Sequence, residues 1–324
     1  MTSIITNIAA LNALSTLRTL AGNMETVQSN VSSGLRVQTA ADNAAYWSIA
    51  TTMKSDNKAL SAVADALGLG AAKADVAYTG LDNAVEIVKQ IKAKLVTARE
   101  PGVDKGKIDK ELTELKNQLV STSQSASFSG ENWLYNTSST ALGTKQMVGS
   151  FTRSPSGTIA INTVNFDAST SCLIDTNTYS NGALTKTVTG YGSYVNGVAG
   201  STGTYFLIST SNAAQNSAGS AISISTQTTD AQVEQMLSSV EVILQNLTNA
   251  AATLGATKSR LDLQTSFTSS LMDTITKGVG RLIDADMNEA STRLKALQTQ
   301  QQLGIQALSI ANSSADSILS LFRS

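Results

Sequence analysis

An apolar stripe that steps by four and three along the chain restricts its possible folds more than any other feature. From Ile49 it runs through Met53, Leu60, Val63, Leu67, Ala74, Ala77, Leu81, Ala84, Val88 and Ile91 to Leu95, broken mainly by Asp56. A spacing alternating between three and four residues is the seam of a long coiled-coil-like helix. Glu100, Pro101 and Gly102 end it, because the proline ring forbids a continuing helix and glycine permits the turn. Ile108, Leu112, Leu115 and Leu119 resume the spacing at once, which predicts a second helix folded back antiparallel beside the first.

The C-terminal third repeats the pattern at Val233, Leu237, Val240, Leu244, Leu247, Ala251 and Leu254, and later at Leu261, Met272 and Ile275. The phase slips at Gly278 and Gly280, which reads as a stutter or hinge before a last helix. That helix carries Ile283, Met287, Ala290, Leu294, Leu297, Gln301, Gly304, Leu308, Ala311, Ala315, Ile318 and Phe322 on one face. At the other end Ile4, Ile8, Leu11 and Leu14 lead into Leu17, Leu20, Met24, Val27 and Val31. Only Arg18, Glu25 and Arg36 are charged between Met1 and Ala41, too few to solvate the opposite face, so burial on more than one side is expected. One chain lacks the surface to supply that cover, and other copies of it would.

Between Ser138 and Thr229 the composition changes to Ser, Thr, Gly and Asn, with Lys145, Arg153, Asp167, Asp175 and Lys186 the only charges. Short alternations such as Ile159 with Ile161 and Ile222 with Ile224, and the dipeptide Asn181 and Gly182, predict a β-rich insertion with tight turns. The expected fold is therefore mainly α. Long antiparallel coiled-coil helices lead out to a small β-rich tip and back, placing both termini at one end. A tip attached by both ends to a self-sufficient shaft predicts that residues 167–228 are removable without loss of assembly.

Chemistry is sharply limited. Histidine is absent and Cys172 is the single cysteine, which removes Ser-His-Asp and Cys-His nucleophiles, His-based metal sites and disulfide frameworks. Net charge is -1, which offers no handle on nucleic acid, and no apolar run approaches a membrane span. Asp284, Asp286 and Asn288 imitate the start of a calcium loop, but Glu289 and Lys295 stand where glycine and a bidentate glutamate are required. Acids at the start of the last helix, favouring its positive end and pairing with Arg281, explain them better. Gly68, Gly70 and Lys73 echo a phosphate loop only faintly, inside an unbroken heptad pattern, where close helix packing accounts for them. Catalytic residues, cofactors and metals are accordingly expected to be none.

Thr6, Asn7, Ala10 and Leu11, then Ser32 to Val37 and Asp42 to Ala45, and at the other end Gly280 to Asp286 and Ser317 to Arg323, together resemble the terminal motifs of the bacterial flagellins. Tyr46 and Trp47 replace the Gly-Leu of many family members, and Phe128 to Leu134 is similar to the version in rhizobia and related alphaproteobacteria. The resemblance implies an extracellular filament subunit that polymerises through its terminal helices. It implies an inner coiled coil of residues 1–41 with 277–324, a helical middle domain with a β-hairpin from 42–165 with 229–276, and a variable outer domain at 166–228. The implied assembly interface is Ile4, Ile8, Leu11, Leu17, Leu20, Met24, Val27, Val31, Leu294, Leu297, Leu308, Ile318 and Phe322. Implied partners are copies of itself and related flagellins, an export chaperone and secretion apparatus, and filament cap and hook-filament junction proteins. Three rival readings are a junction protein, a hydrolase-bearing flagellin and a coiled-coil adhesin; the zinc motif of the second needs histidines that this chain lacks.

Overall fold

The computed structural model describes residues 7–192, 200–210 and 213–321, with the side chains of 213 and 314–321 left undescribed. The chain forms two compact units, residues 1–58 with 271–324 and residues 59–270.

In the first unit, helix α1 spans Ile8–Ser33, capped by the Asn7 side chain accepting from Ala10 N at 3.0 Å. It ends at Gly34, whose φ of 71° is a conformation glycine adopts without a Cβ penalty. The last helix, α6, spans Met287–Leu321 and runs antiparallel to α1: Asn7 Nδ2 donates to Ala311 O at 2.9 Å, and Gly304 faces Leu17. A Cβ on Gly304 would lie 2.7 Å from Leu17 Cδ2, so glycine on the seam permits the close approach. The connection after α1 is stitched to the one before α6. Leu35 bridges Asp284, Val37 N donates to Ile283 O at 3.2 Å, and Ala285 N donates to Gly34 O at 2.9 Å. A small core of Val37, Ala50, Val279 and Ile283 closes this corner.

Of the two readings of Gly278 and Gly280, the hinge is absent, since helix α5 runs unbroken over Asp230–Ile283 and any phase slip lies inside a continuous helix. Interior glycine costs a helix only about 1 kcal/mol, which packing offsets, and Gly278 receives the Met53 side chain. The break falls instead at Asp284 to Asp286. Asp284 lies beyond the end of α5, and Asp286 caps α6 by accepting from Asn288 N at 2.8 Å and Glu289 N at 3.3 Å.

In the second unit, the stretches of helix α2 (Ala44–Thr97) and of α5 that lie within residues 59–270 run antiparallel in one constant register. Arg99 meets Glu234, Lys92 meets Glu241 at 2.6 Å, Tyr78 lies against Gly255 and Asp75 meets Lys258. Helix α3 (Lys105–Ser125) starts on Asp104, which accepts from Gly106 N and Lys107 N, and folds back along α2 as the loop at Pro101 predicts. These ion pairs are open to water and each contributes little, so packing carries the stability. The stripe on α2 is buried from Leu60 to Leu95, whereas Ile49, its first expected position, is half exposed.

The β-rich region begins earlier than composition indicates, at Ser127. Strands β1 (Ser127–Phe128) and β2 (Glu131–Asn132) form a small hairpin. Strand β3 (Tyr135–Asn136) pairs in parallel with β6 (Ile174–Asp175), and β4 (Thr144–Arg153) pairs antiparallel with β5 (Ile159–Asp167) around a bulge at Gly149. Strand β7 (Val188–Tyr191) pairs with β8 (Thr202–Phe206), which takes β9 (Ser220–Ala221) on its other edge, next to the short helix α4 (Ala213–Ala218). The hairpin turn lies at Ser154 to Thr158, with Gly157 at φ 85°. Asn181 and Gly182 do not make one. Tyr179–Asn181 is a 3-10 turn and Gly182 is extended, its Cα so close to Asp175 N and Leu173 O that a Cβ would meet them at 2.7 and 2.8 Å.

One core joins these strands to the helices. Leu134, Leu173, Leu184, Leu207 and Ile222 belong to the same buried cluster as Leu81, Ile91, Leu112, Leu119, Val240 and Leu247. Asp175, almost wholly buried, accepts from Asn136 Nδ2 at 2.9 Å, Asn177 N at 3.0 Å and Thr178 N at 2.7 Å. Lys116 on α3 is largely buried and donates to the Ile222 carbonyl, while Asp109 accepts from Ile224 N at 2.8 Å. Residues 167–228 therefore share one core with the helices instead of forming an appended module with a core of its own.

Cys172 lies beside this network, buried, its Sγ donating to Ile174 O at 3.6 Å. Burial, with the nearby Asp175 carboxylate adding to it, pushes the thiol up to about 12. An unfolded thiol ionises near 8.5, so at pH 8 the folded chain holds roughly a thousandfold less thiolate. Alkylation by iodoacetamide at pH 8 is expected to be immediate in urea and to wait on unfolding in buffer; mass spectrometry after a few minutes checks this, and full labelling of folded protein contradicts it.

Candidate functional site

The described residues hold no group of three His, Cys, Asp or Glu side chains placed to bind a metal ion. None of the described helices is long and apolar enough to cross a membrane. What the first unit does present is a pair of long helices with too little cover.

Among the described residues of α1, Val27 alone is buried, and on α6 Leu297 alone. Leu17, Leu20, Met24 and Val31 on α1, with Leu294 and Leu308 on α6, sit half-buried along the seam. Ile8 and Leu11 are exposed, at 62% and 53%. Ile4 and Phe322 lie outside the described residues, and of Ile318 only the helical backbone is described. The heptad stripe thus marks the seam between α1 and α6, with side chains that one partner helix covers only in part.

Periodicity missed a second set. Leu303, Ile305 and Ile310 on α6 are exposed at 59%, 57% and 69%, facing away from the seam. The signal that marks them is charge: from Ala296 to Ala315 no residue is ionisable, and on the facing helix none precedes Arg18. In the second unit, Leu263 and Phe267, one turn apart on α5, are likewise mostly exposed.

The connection between α1 and α2 is built more firmly. Asp42 accepts from Thr39 N and Gln38 N, both at 2.9 Å, and these bonds hold its carboxyl below the usual range. Arg36 donates to Leu282 O at 3.0 Å, and its guanidinium lies 6.0 Å from the Tyr46 ring centre.

Uncharged apolar faces turned away from the chain's own seam are the mark of a self-associating subunit. The comparisons say which. Residues 4–139 match the bacterial flagellin N-terminal helical region, and residues 237–322 match the C-terminal helical region. The chain is 57% identical to Flagellin C of Rhizobium meliloti strain 1021, 47% to Flagellin A of Rhizobium meliloti and 44% to a flagellin of Brucella melitensis, each over all of both chains. The chain belongs to the bacterial flagellins. It is a structural subunit of the extracellular flagellar filament, of the rhizobial kind.

Proposed function

We propose that α1 and α6 are the polymerising elements of this subunit, that they fold to completion only among neighbouring copies, and that the chain's role is wholly structural. The observation that carries this is the exposure of Ile8, Leu11, Leu303, Ile305 and Ile310 on helices that bury little else. Ordering a residue costs about 1 to 2 kcal/mol of backbone entropy, and a long helix repays it by burying its apolar faces. A single antiparallel partner covers one side of each helix; several neighbours cover the rest. Residues 1–41 with 277–324 then form the filament's inner wall, 42–165 with 229–276 its middle layer, and 166–228 the solvent-facing part. A terminus unfolded before assembly also suits passage through a narrow secretion channel, with an export chaperone holding it. Cap and hook-filament junction proteins are the partners at the filament's two ends. Mixing with related subunits is supported by the several distinct flagellins similar to this one in Rhizobium meliloti.

The test compares monomer with filament. Circular dichroism is expected to show helicity rising on polymerisation, and brief trypsin treatment to strip both ends from monomer but not from filament. Monomer with fully protected ends overturns the proposal.

A further inference from the structure

The pair Asn181 and Gly182 makes no hairpin turn, but it has a chemistry of its own. In an Asn-Gly sequence the glycine amide nitrogen, beside a residue with no side chain, is free to attack the asparagine side-chain carbonyl carbon. A C–N bond forms there, ammonia leaves, and water then opens the succinimide ring to aspartate or isoaspartate. Asn181 is exposed, and exposure alone would mark it as a residue that ages in the folded protein.

The backbone geometry opposes this. The ring closes only after the peptide joining Asn181 to Gly182 swings about the bond from Asn181 Cα to its carbonyl carbon, out of the helical setting of a 3-10 turn. Asn181 ends such a turn, its N donating to Thr178 O at 2.9 Å. Gly182 is buried and crowded, and a Cβ on it would strike Thr185 Oγ1 as well as Asp175 N and Leu173 O. Its carbonyl accepts from Lys186 N at 2.8 Å and Thr185 N at 3.2 Å, and the next amide, Ala183 N, donates to Cys172 O at 2.9 Å. The reacting side chain is tethered too, Asn181 Nδ2 donating to Asp175 Oδ2 at 3.4 Å. Swinging the peptide therefore means opening this corner of the shared core.

We infer that Asn181 is a deamidation site that the fold keeps shut: it reacts in the unfolded chain, and the isoaspartate formed there is excluded from the fold. Isoaspartate carries the main chain through its side-chain carbon, which lengthens the backbone just before Gly182. Gly182 has no room to shift, and Leu184, wholly buried two residues on, would lose the bond from its N to Leu173 O. A chain that waits too long unfolded is thus marked chemically. None of this depends on how subunits polymerise.

A group that reacts only on opening does so at a rate set by the open fraction, about 10⁻³ or less for a stable domain. The test incubates wild-type chain at pH 8 for several days, in buffer and in guanidinium chloride, and follows each sample by tryptic digestion and mass spectrometry. The peptide from Ser154 to Lys186 reports Asn181, while the other Asn-Gly pair, Asn196 and Gly197, falls on the next peptide. Deamidation of Asn181 is expected to be slower in buffer by at least about a hundredfold; a smaller ratio overturns the inference. The aged, denatured chain is then returned to buffer beside freshly denatured chain, and the folded fraction is isolated by gel filtration. Folded chains are expected to be depleted of isoaspartate at position 181, with the unrecovered fraction enriched in it. Equal proportions in the two fractions overturn the exclusion of the product.

Discussion

Subunits carrying Leu308→Asp are expected to stay monomeric at concentrations where the wild-type chain polymerises fully. Leu308 is half-buried on the seam face of α6, four residues beyond Gly304, whose backbone lies close against the Leu17 side chain. In the proposed filament its side chain is enclosed, and a carboxylate enclosed without a partner costs several kcal/mol. Each 1.4 kcal/mol is tenfold in an association constant, so even about 4 kcal/mol raises the concentration needed for assembly roughly a thousandfold. Residues 59–270 form their own compact unit and should keep their thermal unfolding transition. Leu308→Met, similar in volume, should assemble normally. Sedimentation and negative-stain microscopy read the outcome directly; Leu308→Asp filaments at wild-type concentration would show that this position is not enclosed.

The sequence carried the helices and the α1 to α6 pairing well, because heptad spacing reports directly on seams buried against one neighbour. It carried poorly whatever that spacing does not encode. Ile49 lies on the α2 grid yet is half exposed, since the stripe extends past the last residue that α5 covers. Gly278 and Gly280 looked like a hinge because glycine weakens helices in isolation, whereas here Gly278 makes room for Met53 inside an unbroken α5. Leu303, Ile305 and Ile310 fell off the seam grid and escaped notice, although the charge-free run around them was visible. The β region was the least legible. Its polar composition suggested a surface decoration, while scattered Leu173, Leu184, Leu207 and Ile222, with no period to betray them, fill the same core as the helices.

That shared core sets the second large effect. Replacing residues 167–228 with a short Gly/Ser join is expected to unfold residues 59–270 and with them to abolish assembly. The deletion removes Leu173, Leu184 and Ile222, none of them exposed at all, from the cluster that also holds Leu81, Leu112, Leu119 and Leu247. A single Leu to Ala change at such a site costs about 2 to 5 kcal/mol, and a domain has only about 5 to 15 kcal/mol to lose. The deletion also strips α3 of the carbonyl that Lys116 donates to and the amide that Asp109 accepts from. Leu184→Ala alone should lower the denaturation midpoint measurably and leave filaments able to form. Shortening the exposed hairpin turn between Arg153 and Ile159 should change neither, because nothing buried depends on it. Urea denaturation followed by circular dichroism, with microscopy of each variant, separates the cases. A deletion variant that unfolds cooperatively and still forms filaments would mean that the helices close a core of their own, and that the strands merely lie upon it.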